Sequence, residues 1–493
     1  MDRWFNGKRN YWRITLLCWL LLPGVSFAET YWVSPTGAAS WANCDGATPL
    51  SGTAACSYST AMTNAAAGDV VNFRAGTVSL AAITANADGQ EPAMKPANSG
   101  SAGNYITFQT YEDEVVVLDN SANVGAAYTV PTFGSYYKSY HIWDGFTATA
   151  VLDVNRTAKT FVVDSGNYIT VRNCNLYGSA IGCSNAASVR IEYGNYITVT
   201  NNILQTNGRE QVILPIDSTN PSGVELYDSD NITITYNSIY TSMTGVYIKD
   251  NVSDLEVAYN YIYDCYVGVR YHPKGPDMVN CYIHHNAIQA DQDAIGDSSQ
   301  SGDLGGTSTN YQVFNNTLAA AAAGIQSDPG ATANFSSDSK VFNNIVVMTN
   351  TAGKYVRWND YEGGTPYFNY NLYYGSSSAA RFEWGATDYA TLAAWVAARG
   401  WDGNSTDGTS PVLVNSSGNY SSVDDFKLQD SSPTSAKTGG RGGSYAAYMG
   451  AWEWPLNGSQ QIGYDSGGAP TPTPTPTPTP GTRSMGAKPG MLP

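Results

Sequence analysis

"NYITVRNCNLYGS" (Asn167–Ser179) and "NYITVTNNILQTN" (Asn195–Asn207) are two copies of one sequence unit. Two further copies follow, "DNITITYNSIYTS" (Asp230–Ser242) and "SDLEVAYNYIYDC" (Ser253–Cys265), and shorter ones read "CYIHHNAI", "YQVFNNTL", "SKVFNNIVV" and "YFNYNLYYG". Each unit contains a short strand of alternating apolar residues, an Asn and another apolar pair. One Asn per unit gives the positions 173, 202, 237, 260, 286, 316, 344 and 371, so the unit recurs every 23–35 residues.

This period predicts the fold class. A period of this length without a helical pattern indicates a solenoid, and three short strands per unit predict an all-β parallel β-helix. One coil cannot bury its own apolar face, whereas stacked coils share a continuous core. At one turn of each coil, an Asn amide can bond the equivalent amide about 4.8 Å away. Asn also tolerates the left-handed backbone of a sharp corner, so we interpret these Asn residues as structural.

The two ends of the repeat array differ from its middle. The first part combines a strand, a loop held by Cys44 and Cys56, and a short helix around Tyr58–Ala66. Near the other end, Thr391–Ser405 has the pattern of a short amphipathic helix. The segments "DFKLQDSSPTSAKTG" and "YMGAWEW" then read as closing strands. Repeat arrays need such caps to cover an otherwise open core.

Four segments are expected along the chain. Residues 1–28 read as a signal peptide, because a basic start precedes the apolar run "ITLLCWLLLPGVSFA" and small residues mark the cleavage position. That run is too short to span a bilayer comfortably, so we expect a secreted or cell-surface protein. Residues 29–466 form the β-helix domain with its caps. Residues 467–481, "GGAPTPTPTPTPTPG", form a stiff extended linker, and residues 482–493 a short tail.

The composition limits the classes of partner. Charged residues make up only 13% of the chain, while its 49 Gly and 35 Tyr are typical of a β-rich extracellular protein with many turns. Without residues 1–28 the chain has 21 basic and 40 acidic residues, a net charge of −19. Such an acidic protein is a poor nucleic-acid binder. It also repels an acidic polysaccharide except at a local basic patch or through calcium, which makes a basic patch informative.

The cysteines suggest a disulfide framework. Six remain after residue 28, and they fall into three pairs that are local in sequence. Because the expected export permits disulfides, we predict the pairs Cys44–Cys56, Cys174–Cys183 and Cys265–Cys281. Buried thiols are the alternative, and the absence of a C-x-x-C motif argues against a zinc site.

The two ends carry a resemblance to a known superfamily. The opening "YWVSPTG" with "AMTNAAAGDVVNFRAGTVSL" resembles the start of many right-handed parallel β-helix proteins of the pectin-lyase-like superfamily. The final part, "AAWVAARGWDGNS", "FKLQDSSPTSAKTGG" and "MGAWEW", is similar to the end of such proteins. With the Asn-marked units, the likeness covers about residues 30–455. It implies a right-handed β-helix, in a superfamily that includes lyases, hydrolases and epimerases of acidic glycans as well as tailspikes and adhesins.

A candidate site follows from the alignment of four strands, "SVRIEY", "GVELYD", "GVYIKD" and "GVRYHP", which begin at residues 188, 223, 245 and 268. Side chains alternate across a strand, so the Val residues at the second position point inward. The next residues then form an outward column of Arg190, Glu225, Tyr247 and Arg270. A second outward column contains Glu192, Tyr227, Lys249 and His272. We expect both columns to be exposed on one sheet face.

Part of this region resembles the alginate lyase and chondroitinase B family. In that family a strand Lys is the base, and an Arg one coil later, directly before a His, assists it. Here "YIKD" supplies Lys249 and "VGVRYH" supplies Arg270. The sequence departs from the family at Tyr271, which separates Arg270 from His272, and it lacks the family's acidic calcium-binding run ahead of the Lys.

The two columns contain the groups that β-elimination of a uronate needs. We expect Arg270 to lower the pKa of Lys249 through like charge, so that Lys249 serves as the general base. Arg270 binds the uronate carboxylate, with His272 beside it, and Tyr227 or Tyr247 returns a proton or stacks on a sugar. Further substrate contacts come from Arg190, Tyr227 and Glu225. Calcium, if it takes part, is held by Glu192, Glu225, Asp228 and Asp250.

Three other interpretations remain open for these residues. The charged side chains can form a surface salt-bridge ladder that only fixes register. The chain can be a non-catalytic glycan-binding or adhesin-like surface protein. Glycoside hydrolysis is less favoured, because it needs paired carboxylates at a defined separation and the outward columns contain no Asp pair. The leading prediction is a secreted lyase that cleaves an acidic polysaccharide.

Overall fold

A computed structural model describes most of the predicted β-helix domain. The described residues are 29–84, 89–123, 130–150, 159–178, 186–206, 221–272, 278–297, 307–327, 334–335, 339–358, 367–415, 420–442, 446–453 and 460–463. The predicted signal peptide, Thr-Pro linker and tail lie outside the described residues.

Thirty-two strands make three parallel sheets, which we name A, B and C. Sheet A contains Thr30–Val33, Val70–Phe73, Ile106–Thr110, His141–Asp144, Asn167–Arg172, Asn195–Thr200, 230–235, 253–258, Met278–His284, Thr307–Phe314 (which also pairs with Asn334–Phe335), Lys340–Phe342 and Tyr367–Asn369. Sheet B contains Gly76–Ser79, Val116–Asp119, Thr147–Thr149, Asn175–Tyr177, Ile203–Gln205, Ser238–Tyr240, 261–263, 287–290, Thr317–Ala320, Ile345–Met348, Leu372–Tyr374 and Thr406–Asp407. Sheet C contains Phe133–Tyr136, Lys159–Asp164, Ala187–Glu192, 222–227, 244–249, 267–272, 293–297, Ala323–Gln326, Lys354–Trp358, Phe382–Trp384 and Thr387–Tyr389.

The described strands form the predicted parallel β-helix. In sheets A, B and C each strand pairs in parallel with its counterparts one coil away, apart from the antiparallel pair Phe382–Trp384 and Thr387–Tyr389. Four long strands continue from one sheet into the next, namely Ser222–Thr235, Thr244–Ala258, Tyr261–His272 and Ala287–Asp297. The inward side chains of all three sheets form one buried core. The predicted fold class is therefore confirmed.

The helices are short, and the first two α-helices lie near the ends of the coil stack. Helix α1 is Tyr58–Asn64 and helix α2 is Leu392–Arg399, close to the two predicted positions. Helix α3 is Thr434–Thr438. Short 3-10 helices occur at Trp41–Asn43, Gly52–Ala54, Ser121–Asn123 and Val423–Phe426. Within the described part of the chain, none of the helices has the length and apolar character needed to cross a membrane.

A buried ladder of seven Asn side chains runs along the corner between sheets A and B. In each step the Nδ2 of one Asn donates to the Oδ1 of the next, at 3.0–3.1 Å. The same Oδ1 also accepts the backbone N–H of the preceding Asn. The ladder consists of Asn202, Asn237, Asn260, Asn286, Asn316, Asn344 and Asn371, all with no exposed surface. At its end Asn371 donates to the buried carboxylate of Asp402 at 3.3 Å.

The ladder corrects two expectations about the Asn positions. Asn173 is not a ladder residue, because the backbone N–H of Cys174 donates to Asn202 Oδ1 at 2.9 Å and Cys174 thus takes the ladder position. The left-handed backbone belongs to the residue before each ladder Asn, for example Asn201 with a φ of 55° and Tyr236 with a φ of 57°. In each coil the ladder Asn therefore supplies the amide hydrogen bond, and the residue before it adopts the left-handed backbone of the corner.

The C-terminal segment is not a pair of closing strands, as predicted, but a strap along the outside of sheet B. It contains the 3-10 helix Val423–Phe426, helix α3 and an isolated bridge between Leu413 and Leu428. Its apolar side chains pack against outward residues of five coils. Backbone bonds tie it to the coils, because Gly450 donates to Asn343 and Gly463 donates to Tyr259, both at 2.8 Å. The segment thus covers an apolar sheet face rather than the end of the stack.

The five described cysteines are buried thiols. Cys44 and Cys56 lie close enough for each to affect the pKa of the other thiol, so their predicted disulfide stays a prediction that their proximity favours. The predicted Cys265–Cys281 bridge is absent, because Cys281 aligns with Leu255 in sheet A while Cys265 aligns with Ala290 elsewhere. Cys183 lies outside the described residues, which leaves its pairing with Cys174 as a prediction.

We expect Asn260→Ala to lower the free energy of unfolding by about 2–4 kcal/mol, because buried amide and carbonyl groups on both neighbouring coils lose their partners. Urea unfolding followed by circular dichroism measures this change. The control is Asn64→Ala on the exposed surface of helix α1, which should change stability by less than about 0.5 kcal/mol. Equal effects of the two substitutions would contradict a special role for the ladder.

Candidate functional site

Sheet C aligns the candidate residues as the sequence predicted. The register pairs Arg190 with Glu225, Glu225 with Tyr247, and Tyr247 with Arg270. The neighbouring column pairs Glu192, Tyr227, Lys249 and His272 in the same order. Tyr271 points into the core, where its ring centroid lies 5.1 Å from that of Tyr311. Arg270 and His272 consequently share the outward side of their strand, although Tyr271 separates them in sequence.

The Gly at the start of three of these strands has a steric cause. A Cβ atom added to Gly245 would lie 2.5 Å from the carbonyl oxygen of Gly268 and 2.5 Å from Ile262 Cγ2. Gly223 and Gly268 meet equally close contacts with the next coil and with sheet B. Any larger side chain would push neighbouring coils apart at this position, so the glycines preserve the spacing of the site strands.

The expectation that both columns are exposed is wrong. The first column is almost fully buried, with exposed fractions of 7% for Arg190, 0% for Glu225, 3% for Tyr247 and 4% for Arg270. In the second column Glu192 and Tyr227 are half-buried, whereas Lys249 and His272 are buried, with exposed fractions of 9% and 6%. Solvent therefore reaches the cluster beside Glu192 and Tyr227.

An ion-pair network connects three coils. The carboxylate of Glu225 accepts from Arg190 at 2.9 Å through one oxygen, and its other oxygen lies 3.3 Å from Lys249 Nζ. Arg190 also donates to Glu192 at 3.0 Å. The predicted salt-bridge ladder thus exists, but it is buried, and pairs of this kind respond strongly to the loss of one partner.

Two tyrosines separate the cations. The Tyr227 hydroxyl lies 2.5 Å from Lys249 Nζ and donates to Glu225 at 3.0 Å. The Arg190 guanidinium lies 4.2 Å from the centroid of the Tyr227 ring. Lys249 Nζ lies 4.5 Å, and the Arg270 guanidinium 5.0 Å, from the ring centroid of Tyr247. These aromatic faces stabilise three cations in a small volume.

This environment changes the protonation of Lys249 and Tyr227. Burial is the largest cause that lowers the pKa of Lys249, and Arg190 contributes in the same direction, while Glu225 opposes both. The lowering that we predicted is therefore present, but its main cause is burial rather than Arg270. Burial, followed by the Glu225 carboxylate, raises the pKa of the Tyr227 hydroxyl, so Tyr227 stays protonated.

The four predicted calcium ligands do not lie together in one cluster. No group of three or more acidic, His or Cys side chains that could hold a metal ion occurs among the described residues, which include all four. Glu192 and Glu225 instead accept hydrogen bonds from Arg190. Asp228 accepts from Asn251 at 2.7 Å. Asp228 and Asp250 lie at the left-handed corner after the strands, with φ values of 40° and 56°.

Two residues of the cluster escaped the sequence analysis. Gln90 donates to Glu192 at 2.7 Å and accepts from Lys159 Nζ at 2.8 Å, although it lies about 100 residues before Glu192 in the chain. Lys159 is 2% exposed and lies at the start of a sheet C strand. Lys159 begins the otherwise largely apolar strand Lys159–Asp164, and a Lys in such a strand could have been recognised as a candidate. The sequence around Gln90 contains no comparable signal.

The comparisons with known proteins agree with this architecture. Residues 152–318 and 216–362 match the family described as "Right handed beta helix region". The structure of pectate lyase Pel9A superposes with a TM-score of 0.51 and 15% sequence identity, over 87% of this chain and 97% of that one. The chain has a right-handed parallel β-helix fold. At this identity, the likeness of our β-helix to Pel9A concerns the fold alone.

Two further structures resemble this β-helix more distantly. XylC in complex with xylose has a TM-score of 0.45 and 11% identity, over 78% of this chain and 87% of that one. A rhamnogalacturonan lyase has a TM-score of 0.41 and 12% identity, over 82% and 97% of the two chains. None of the curated proteins matches the sequence.

We predict that Glu225→Gln lowers the free energy of unfolding of the β-helix by about 3–5 kcal/mol, because it leaves Arg190 and Lys249 buried without their shared carboxylate. The comparison is Glu256→Gln, a 43% exposed side chain that pairs with His284 and should change stability by less than about 1 kcal/mol. Thermal and urea unfolding of both variants provide the test. A neutral effect of Glu225→Gln would contradict the buried network.

Proposed function

We propose that this protein is an exported polysaccharide lyase that cleaves an acidic, uronate-containing glycan by β-elimination. The observation that carries the proposal is Lys249. Its amine is buried beside a second proton carrier, Tyr227, and faces Arg270 and His272 on the next coil. A fold shared with a pectate lyase supports the same class of reaction. Export is proposed from the basic and apolar character of residues 1–28.

Lys249 takes the part of the general base. Because burial lowers its pKa, a larger fraction of its amine is neutral at a given pH than for an exposed lysine. Neutral Lys249 removes the C5 proton of the uronate, and the electron pair of the C5–H bond forms the C4=C5 double bond. The bond between C4 and the glycosidic oxygen then breaks, with its electron pair on the leaving oxygen.

Arg270 and His272 bind the substrate carboxylate. Removal of the C5 proton transfers negative charge toward this carboxylate, so a fixed cation there stabilises the transition state. The Tyr247 ring contacts both the Arg270 guanidinium and Lys249 Nζ. It thereby positions the base and the carboxylate-binding group relative to each other. No step is assigned to calcium, because Glu192 and Glu225 accept from Arg190 and Asp228 accepts from Asn251.

Tyr227 completes the proton balance. Its hydroxyl donates a proton to the leaving oxygen, and the resulting phenolate recovers a proton from the Lys249 ammonium that is within hydrogen-bond distance. After this transfer both residues have returned to their starting protonation states. The cycle converts one glycosidic bond into a new chain end and an unsaturated uronate without any further reactant.

The activity test uses the described domain with alginate, pectate and glycosaminoglycans as substrates. We expect ultraviolet absorbance of the unsaturated uronate to increase with the wild-type domain, and Lys249→Met to lower kcat at least about 1,000-fold because the base is lost. Lys340→Met on sheet A is the matched control and should keep full activity. Assays with added calcium and with a chelator run in parallel; loss of activity in the chelator would show that calcium neutralises the carboxylate.

The pH dependence tests the base separately. We expect kcat/KM to rise with pH along a limb that reports the Lys249 pKa and lies below the value of an exposed lysine. Glu225 raises this pKa, so in Glu225→Gln the limb should move to lower pH, measured at a temperature where the variant remains folded. If the limb has the same pH position in Glu225→Gln as in the wild type, the general base is a group other than Lys249.

The alternative is a non-catalytic glycan-binding protein, favoured by the closed network of Arg190, Glu225 and Lys249. Binding of an acidic glycan by the folded wild-type domain, without unsaturated product from any substrate, would support this alternative and reject the lyase. In that case Lys249→Met should weaken binding of the acidic glycan.

A further inference from the structure

Two tyrosines beside the candidate site are unusually exposed. Tyr137 is 59% exposed and Tyr193 is 56% exposed, in a molecule whose other described aromatic residues are mostly covered. Both have a left-handed backbone, with φ values of 52° and 53°. Nearby, Tyr140, Tyr168 and Tyr196 stack on one another at 4.6 Å, so aromatic residues at this corner can be covered by their own neighbours. Tyr137 packs edge-on against Tyr136 at 4.5 Å, yet both Tyr137 and Tyr193 present ring surface to solvent.

These two tyrosines occupy equivalent corner positions between sheets C and A. The backbone N–H of Tyr137 donates to Asp164, that of Ser165 to Glu192, and that of Tyr193 to Tyr227, at 2.9–3.2 Å. The corner column therefore reads Tyr137, Ser165, Tyr193, with one residue per coil. The two rings are two coils apart, about 10 Å, which is close to the length of a disaccharide unit in an extended glycan. Between them lies Ser165, whose small side chain donates to Asp164.

The corner adjoins the open side of the candidate site. Tyr193 directly follows Glu192 and contacts the backbone of Tyr227, the two half-buried residues of the second column. The coil that contains Lys249 lies two coils beyond the coil of Tyr193 along this edge. Tyr137, Tyr193 and Lys249 thus follow one another at equal steps along the solenoid axis, and a glycan that reaches Lys249 from the open side passes over the two tyrosines.

The acidic residues around Tyr193 favour neutral sugars over uronates at this position. The carboxylates of Glu192, Asp228, Asp164 and Asp250 act on its hydroxyl and, with partial burial as the largest cause, raise its pKa. Glu192 is compensated by Arg190, but the corner as a whole is acidic. A uronate carboxylate over Tyr193 would be repelled, whereas the hydroxyl groups of a neutral pyranose can donate to these oxygens. The basic residues Arg270 and His272 lie on the opposite side of Lys249.

We infer that Tyr137 and Tyr193 form a stacking platform for neutral sugar units of the glycan, next to the uronate-binding part of the site. This inference rests on the proposed function for the identity of the glycan, and it narrows the substrate to a heteropolysaccharide that combines uronate with neutral sugars. A polymer made only of uronate can bind at Arg270, but its carboxylates would be repelled by the acidic residues around the tyrosine platform.

The test measures binding, so that it does not depend on catalysis. Affinity electrophoresis compares the inactive Lys249→Met domain in gels that contain polygalacturonate or alginate, each native or with part of its carboxyl groups chemically reduced to neutral units. We expect tighter binding to the partly reduced polymers. Tyr137→Asn and Tyr193→Asn should each weaken that binding about fivefold, because Asn keeps the left-handed backbone but removes the ring. Tyr193→Phe should bind like Tyr, and Tyr367→Ala on sheet A is the control.

Three outcomes would overturn the platform. Equal binding of native and partly reduced polymers would remove the preference for neutral units. Unchanged affinity in both Asn variants, with the polymers still bound, would move the glycan away from the corner. A domain that binds none of the polymers would reject the platform as well. If the platform variants weaken binding while wild-type protein yields no unsaturated product, the platform stands and the lyase proposal fails.

Discussion

The amide-to-amide hydrogen bond between successive coils is the interaction on which the rest of the structure depends. Each ladder Asn donates to the next coil and accepts from the previous one, and its own Nδ2 also donates to backbone carbonyls. All these groups are buried, so a shift by one residue would leave several of them without partners at a cost of about 1–3 kcal/mol each. The ladder therefore permits one register only. Its bonds also polarise one another, which favours a continuous column over isolated pairs.

The Asn ladder at the corner between sheets A and B also sets the strand register of sheet C. The ladder steps vary from 23 to 35 residues in sequence, yet sheet C keeps Arg190, Glu225, Tyr247 and Arg270 in one column. Variation in coil length is thus absorbed outside the paired strands. Chemistry that requires groups from several coils, such as a base on one and a carboxylate-binding cation on the next, becomes possible because their spacing is set by backbone pairing.

The register was predictable from the sequence because it depends on local alternation and on Asn and Gly positions that repeat. Val189, Val224, Val246 and Val269 marked the inward side, and the outward columns followed. Burial was not predictable in the same way. Whether Glu225 has 0% or 40% of its surface exposed depends on what packs above it, and Gln90, which contacts Glu192, comes from a distant part of the chain. The strap over sheet B was missed for a similar reason, since its short apolar stretches read as strands and their position depends on packing against sheet B.

A buried ion-pair ladder and a lyase site would use the same side chains, and Lys249 is where the two interpretations differ. A position selected for stability alone gains little from a lysine whose charged form is disfavoured by burial. Because the pKa of Lys249 is lower in the folded state, this group makes the fold less stable as pH falls through the unfolded-state value. Such a cost is typical of groups that must release or accept a proton in a protected place. Glu225 limits the cost by pairing with Lys249, and the same carboxylate thereby adjusts how strongly the amine holds its proton.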